Sequence, residues 1–277
     1  MLVFLHIPKT AGQTMVPVLR RQFARGEVVN LNVEDASMTA RTWRAVPSAQ
    51  RARAKCVYGH LLLDPAMFGD KPANYITMLR DPVERSVSEY YYALRRPEHG
   101  LHRILRRERM TLDKFVTTDL VTQICNAQVR MLSAADGPVQ SEKFLDRALD
   151  NLERHVMLAG LTERFDETLL LCRELLGWRR LFYERTNVNR KRPPLSQLPA
   201  RTLAALESVN RLDRELYRHV YGKFEHLVRR HRISPGEIVA LRRTSRLYGA
   251  VRRTLKLPLS VGRDVGTEIR SWWAIRG

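Results

Sequence analysis

The chain has 277 residues, of which 44% are hydrophobic, and a formal net charge of +19. That apolar content excludes a disordered chain, and the length permits one large domain or a domain plus an appendage. The charge selects anionic partners: nucleotides, acidic glycans, nucleic acid or an anionic membrane surface.

The first apolar run, Leu2 to Ile7, reads as a short buried β-strand, and Met15 to Phe23 as an amphipathic helix closed by Gly26. Between them, Pro8-Lys9-Thr10-Ala11-Gly12-Gln13-Thr14 forms a strand-to-helix turn. Free N–H groups at a helix start attract anions, and Gly12 lets the chain approach one closely. Lys9 adds a point charge, and Thr10 and Thr14 add hydroxyls. This composition suits a phosphate, although a tight connection without a ligand uses the same residues. A Walker A loop places its lysine after the glycines, whereas Lys9 precedes Gly12. An ordinary P-loop nucleotide kinase is therefore disfavoured.

Three more apolar runs repeat the pattern. Ala54 to Tyr58 precedes Gly59-His60, Tyr75 to Leu79 precedes Arg80-Asp81-Pro82, and Val156 to Leu161 precedes Thr162-Glu163-Arg164. Helical spacing is seen near 82–95, 111–118, 120–133, 141–153 and 164–176. Strands alternating with helices imply an α/β fold, a mainly parallel sheet with helices on both faces. Ligands in such folds sit beyond the carboxyl ends of the strands, where Lys9, His60 and Arg80 all fall. Cys56, Cys125 and Cys172 are odd in number, widely spaced and set in apolar stretches, which predicts buried free thiols.

Asp81 is a good N-cap and Pro82 a good first helical residue. Ser88 lies two turns along, where its hydroxyl can share a groove with Arg80. An arginine fork with a serine hydroxyl suits a phosphate monoester; the alternative pairs Arg80 with an acidic neighbour and leaves Ser88 merely small. Arg95, Arg96 and His99 open a basic stretch that is either a solvated face or a cleft wall for an anionic glycan. Arg190, Lys191 and Arg192 lie in a loop that could cover a bound phosphate.

From residue 198 the chain reads as helical, with a stripe of Leu203, Leu206, Val209, Leu212, Leu216 and Val220 over 199–230. Residues 229–277 hold twelve Lys or Arg against three Asp or Glu, including a basic helix from Pro235 to Leu257, with Trp272 and Trp273 near the end. This tail either packs on the body with its charges in water or rests on an anionic leaflet. The first apolar run lacks a basic flank, and no apolar run reaches about 18 residues. A cytoplasmic protein is expected, with any membrane contact peripheral, at the inner surface and through the tail.

Taken together, the two anion sites resemble those of the carbohydrate sulfotransferases that use 3′-phosphoadenosine 5′-phosphosulfate (PAPS). In that family a PKT-G-T turn holds the 5′-phosphosulfate and an R-D-P-x-x-R-x-x-S-x-Y segment the 3′-phosphate. Residues 8–14 match the first, and Arg80, Asp81, Pro82, Arg85, Ser88 and Tyr90 match the second. The chain most resembles the uronyl/heparan sulfate 2-O-sulfotransferases, through Gly59-His60, the tyrosines Tyr90-Tyr91-Tyr92 and the segment Ala159 to Phe165. The match runs through roughly residues 1–225 in order. It departs from the family at Ala11 and Gln13 in the loop and at Tyr58 where those enzymes have a second histidine, and the anchor and stem of eukaryotic members are not expected here.

The charge and spacing of the last residues predict a basic helical C-terminal tail over 231–277, and the resemblance implies a P-loop-like three-layer fold for a sulfotransferase domain over 1–230. It implies transfer of a sulfuryl group from PAPS to a hydroxyl of a carbohydrate or glycolipid acceptor, with 3′-phosphoadenosine 5′-phosphate (PAP) as product and no metal. Lys9 and His60 are then catalytic, His60 as general base. Lys9, Thr10, Ala11, Gly12, Gln13, Thr14, Arg80, Ser88, Arg190 and Lys191 hold the donor, and Arg95, Arg96 and His99 meet the acceptor. Other sulfotransferases use a glutamate base, which keeps Glu163 and Asp64 in reserve; His6 is assigned to packing. The competing classes are a nucleotide kinase, marked by metal dependence, and a basic nucleic-acid-binding protein. No helix-turn-helix, zinc-finger or RNA-recognition signature supports the latter, so no nucleic-acid partner is expected.

Overall fold

The computed structural model describes residues 1–31, 39–184 and 192–255. Five strands, β1 (Leu2–Leu5), β2 (Val28–Asn30), β3 (Cys56–Gly59), β4 (Asn74–Leu79) and β5 (Val156–Leu161), form one all-parallel sheet in the order β2-β3-β1-β4-β5. Val3, Phe4 and Leu5 are all fully buried. Successive strand residues face opposite sides, so the central strand is covered on both faces. The chain leaves β1 for one side of the sheet and, after β3, crosses to β4 on the other. The carboxyl end of β1, flanked by those of β3 and β4, is thus a topological switch point, the place where open α/β sheets hold ligands.

The helices are α1 (Gly12–Arg20), α2 (Thr39–Ala45), α3 (Ser48–Arg53), α4 (Pro82–Ala93), α5 (His102–Arg107), α6 (Leu112–Phe115), α7 (Ala127–Leu132), α8 (Glu142–His155), α9 (Phe165–Leu176), α10 (Ala200–Val209), α11 (Arg211–Arg230) and α12 (Pro235–Thr254). The start of α4 matches the expectation: Pro82 takes the first turn, and the Asp81 carboxylate accepts the Glu84 N–H at 2.9 Å. Two predicted helices are broken, each by a buried asparagine. Asn210 separates α10 from α11, its amide donating to the Leu206 carbonyl at 2.8 Å and accepting from the Ser86 hydroxyl at 3.0 Å. Asn126, with φ of 45°, ends the expected 120–133 helix and shortens it to α7. Its side chain donates to the Val139 carbonyl and accepts the Asp213 N–H, both at 3.1 Å.

A second apolar cluster under α4 joins Val83, Val87, Tyr90, Leu105, Phe115 and Leu206. Between the two cores lies a polar seam. Asp213, fully buried, accepts the N–H groups of Gln128 and Val129 at 3.2 and 2.8 Å and faces Arg85 at 4.0 Å. Burial pushes the Asp213 carboxyl up, against the pull of Arg85 and these N–H groups. The three cysteines are buried free thiols.

The basic helix α12 begins with a capping box between Ser234 and Glu237 and packs on the body. Arg173 bonds Glu237 at 2.6 Å, Arg242 bonds Asp166 at 2.7 Å, and Arg252 and Arg253 share Glu184. The Arg21 guanidinium lies 4.5 Å from the Phe182 ring and 5.4 Å from the ring of Tyr248, which α12 contributes. Several of the charges that would face a leaflet are therefore spent on carboxylates of the body. Lys256, Trp272 and Trp273 lie outside the described residues, as do Arg190 and Lys191. Among the described residues, no helix is long and apolar enough to cross a membrane.

Candidate active site

The turn after β1 is strained. Lys9 and Ala11 adopt φ of 66° and 64°, left-handed values that a Cβ disfavours. Such strain costs of order 1–3 kcal/mol per residue and clusters where a ligand is gripped. Thr10, between them, is fully buried and donates its hydroxyl to the Ile7 carbonyl at 2.8 Å. It pins the turn, and its proton does not face outward. Gly12 also has a reason other than the expected one: a Cβ there would come within 1.8 Å of His6 Nε2. The glycine makes room for an imidazole. Gly12→Ala should therefore push His6 out of its stack, lower stability by about 1–3 kcal/mol as overpacking does, and impair the whole rim. A thermal melt unchanged from the parent would contradict this. The first N–H groups of α1, those of Gly12 and Gln13, precede the helical ladder and head the turn.

His6 is sandwiched, its ring centroid 5.7 Å from Phe4 and 4.4 Å from His60. Burial, followed by the nearby His60 and Lys9, lowers the His6 pKa to about 3, so it packs as a neutral ring. His60 follows β3, half-buried, with Nδ1 2.8 Å from the His6 carbonyl oxygen. A carbonyl only accepts, so Nδ1 carries the proton and the neutral ring keeps its Nε2 lone pair free. Burial holds the His60 pKa below the ordinary imidazole value; the His6 carbonyl and Glu89 oppose it, and Lys9 adds to it. That is the condition of a general base in its basic form.

Lys9 sends its ammonium over the Tyr92 ring, 3.3 Å from the centroid. Burial lowers its pKa to about 8, Glu89 resists, and Arg95, Arg80 and Arg96 push it down further. Arg95 and Arg96 are exposed at the end of α4, with Arg95 Nε donating to the Tyr91 carbonyl at 3.0 Å and Arg96 5.6 Å from the Tyr92 ring. His99 differs from its two neighbours in that list. It is turned inward, its Nε2 3.0 Å from Glu89 Oε1 and its Nδ1 accepting the Leu101 N–H at 3.1 Å.

Arg80 is set by Gln128, whose amide accepts the Arg80 N–H at 2.9 Å and donates to the Arg80 carbonyl at 3.0 Å. The guanidinium bonds the Lys9 carbonyl at 3.2 Å and Glu84 at 3.0 Å. Glu84 also receives Arg192, and Arg192 Nη1 is buried without an acceptor. Arg80 precedes α4 and reaches it through Glu84, and half-buried Ser88, four residues beyond Glu84, lies on the same side of the helix. Arg85 and Tyr90, quoted with the phosphate segment, are internal: Arg85 faces Asp213 and bonds the Ile124 carbonyl, and Tyr90 donates to the Met110 carbonyl at 2.6 Å. Both reserve bases are occupied. Glu163 accepts the Asp81 N–H and the Tyr217 hydroxyl, each at 3.0 Å, and Asp64 accepts the Ala66 N–H at 3.0 Å.

One rim thus gathers Lys9, His60 and Arg80, with Arg95 and Arg96 at its edge and Ser88 further along α4 on the side of Glu84. Gln128 was not foreseen, because no motif marks a residue that folds back from another part of the chain; Arg192, expected in a loop over a bound phosphate, reaches Glu84 beside Arg80. A cavity of about 560 Å³ lies at the opposite end of the sheet, lined by Leu2, Asn74 and Met157 from the strand starts. It is remote from this chemistry. Among the described residues, no group of three His, Cys, Asp or Glu is placed to hold a metal ion.

The model of the galactose-3-O-sulfotransferase family matches residues 1–260. Heparan sulfate 2-O-sulfotransferase 1 of Gallus gallus is 27% identical over 271 residues, covering 87% of this chain and 75% of that protein. The Homo sapiens protein of the same name is 26% identical over 261 residues, covering 84% and 72%. Galactose-3-O-sulfotransferase 3 of Bos taurus is 28% identical over 165 residues, covering 54% and 37%.

Proposed function

The chain belongs to the galactose-3-O-sulfotransferase family, and from that premise we propose that it transfers a sulfuryl group from PAPS to a carbohydrate hydroxyl. The observation that carries this reading is His60, held at Nδ1 by the His6 carbonyl with Nε2 free, on the same rim as Lys9 and Arg80. Relatives named for heparan sulfate 2-O- and galactose 3-O-sulfation support a carbohydrate acceptor.

The residues suit the donor. Arg192 Nη1 lacks an acceptor beside Arg80, and two guanidinium groups share the single carboxylate of Glu84. The net positive charge left there fits a 3′-phosphate, with Ser88 one turn beyond Glu84. Bound PAPS would supply an activated sulfuryl group on a phosphate leaving group. Lys9 and the N–H groups of Gly12 and Gln13 stabilise negative charge gathering on that phosphate. His60 Nε2 takes the proton of the acceptor hydroxyl. Arg95 and Arg96 present positive charge to an acidic stretch of the acceptor.

Arg80→Ala and Arg192→Ala should each weaken PAP binding by roughly 10- to 100-fold, the weight of a charged hydrogen bond, with a smaller effect on kcat. Calorimetry with PAP reads this directly. Parent-like affinity in both variants would remove the 3′-phosphate assignment.

A further inference from the structure

The rim is built to receive anions, yet it contains a buried carboxylate with no role in the scheme above. Glu89 is 9% exposed and lies on α4, three residues before the tyrosine on which the Lys9 ammonium rests. Its Oε1 accepts from His99 Nε2 at 3.0 Å, whereas Oε2 is buried with no hydrogen-bond donor. His99 is itself fixed, since its Nδ1 accepts the Leu101 N–H and its proton must therefore sit on Nε2. The carboxylate is clamped by one oxygen, and its charge is balanced through space. A buried acid without full hydrogen bonding costs stability and calls for a reason.

We propose that Glu89, clamped by His99, is a positioning residue for sulfuryl transfer: its fixed negative charge keeps Lys9 protonated and stabilises His60 once that ring has taken the acceptor proton. This inference rests on the sulfotransferase reading. The charged and titratable groups involved are few. His60 stacks on His6 with 4.4 Å between ring centroids and feels the charges of Lys9 and Glu89; Glu89 bonds His99 and feels Lys9 and Arg85; Lys9 also feels Arg95, Arg80 and Arg96. Burial works against the charged forms of both Lys9 and His60, and Glu89 is the acid that opposes it at each. Burial would also push Glu89 up, but the His99 bond, with Lys9 and Arg85, holds it below the usual carboxylate range. It is therefore ionised throughout the working range. The charge that helps the base also repels the anionic donor, so Glu89 favours turnover at some expense of nucleotide affinity.

That trade gives a signature that structural damage would not produce. Glu89→Gln keeps the length and the bond to His99 while removing the charge. The acid limb of the pH–rate profile should move to lower pH, because His60 loses the charge that raises its pKa. Plateau kcat should fall by up to about tenfold, as expected for a weaker base. The alkaline limb should also move to lower pH, because Lys9 loses the same support. At about pH 6, where Lys9 stays charged, PAP should bind roughly three- to fivefold tighter, the effect of deleting one nearby like charge behind partial screening. Glu89→Asp, which keeps the charge but retreats from His99, should stay close to the parent in limb and affinity. If Glu89→Gln does not fold, Glu89→Asn against Glu89→Asp poses the same charge test at shorter length. An unmoved acid limb with unchanged or weaker PAP binding in the uncharged variant would overturn the proposal, as would equal losses in the charged and uncharged variants. A parent that neither binds PAP nor transfers sulfate fails at the sulfotransferase reading itself, before Glu89 is in question.

Discussion

His60→Ala should abolish transfer, lowering kcat by about 10²–10⁴, the usual contribution of a positioned general base, while PAP affinity stays nearly unchanged. The split follows from the geometry. Nδ1 is tied to the His6 carbonyl and Nε2 is the free atom, so in the proposed reaction the ring serves the acceptor hydroxyl and leaves the nucleotide to other residues. Its depressed pKa keeps the basic form present at neutral pH. In the parent, kcat/KM should rise with pH through a value below the ordinary 6.5 of imidazole, since activity requires the deprotonated ring. A flat profile together with an active His60→Ala enzyme would transfer the role to another residue. Glu163 and Asp64 are poor substitutes, each already accepting backbone or tyrosine donors.

Lys9→Ala should lower turnover by on the order of 10²–10³, as removing one donor to transition-state charge does, with a smaller loss of PAP binding. The ammonium has a pKa of about 8, reached chiefly by burial, with the three neighbouring arginines pushing the same way. Its charged form is present below that pH and lost above it. The parent should therefore show a second, alkaline decline in kcat/KM above about pH 8, and this decline should vanish in Lys9→Ala. Near-normal turnover in the variant would remove the leaving-group role.

Lys9, His60 and Arg80 could be read together from the sequence because each ends an apolar run, and in a parallel sheet all such ends share one rim. The start of α4 was equally legible, since Asp81 and Pro82 act through local bonds. What escaped depends on partners far away in the chain. β2 is three residues long and α3 buries none of its residues, so neither carries a periodic signal. The breaks at Asn126 and Asn210 come from side chains that bond across the seam to other helices, Asn126 to Asp213 in α11 and Asn210 to Ser86 in α4. Thr10 and Arg85 show the reverse error. Their residue types suit an anion site, but Thr10 turns its hydroxyl to Ile7 and Arg85 points toward Asp213. Glu89 went unnoticed because an acid in a basic stretch reads as a surface residue, and only its burial against His99 says otherwise.

The most direct test of the central claim is sulfur-35 transfer from labelled PAPS to a panel of neutral and acidic glycans, with the parent and His60→Ala run side by side. Label should enter at least one glycan with the parent and none detectably with His60→Ala, although both bind PAP. A parent that binds PAP but labels no glycan, or a His60→Ala enzyme that labels at the parent's rate, would contradict the account.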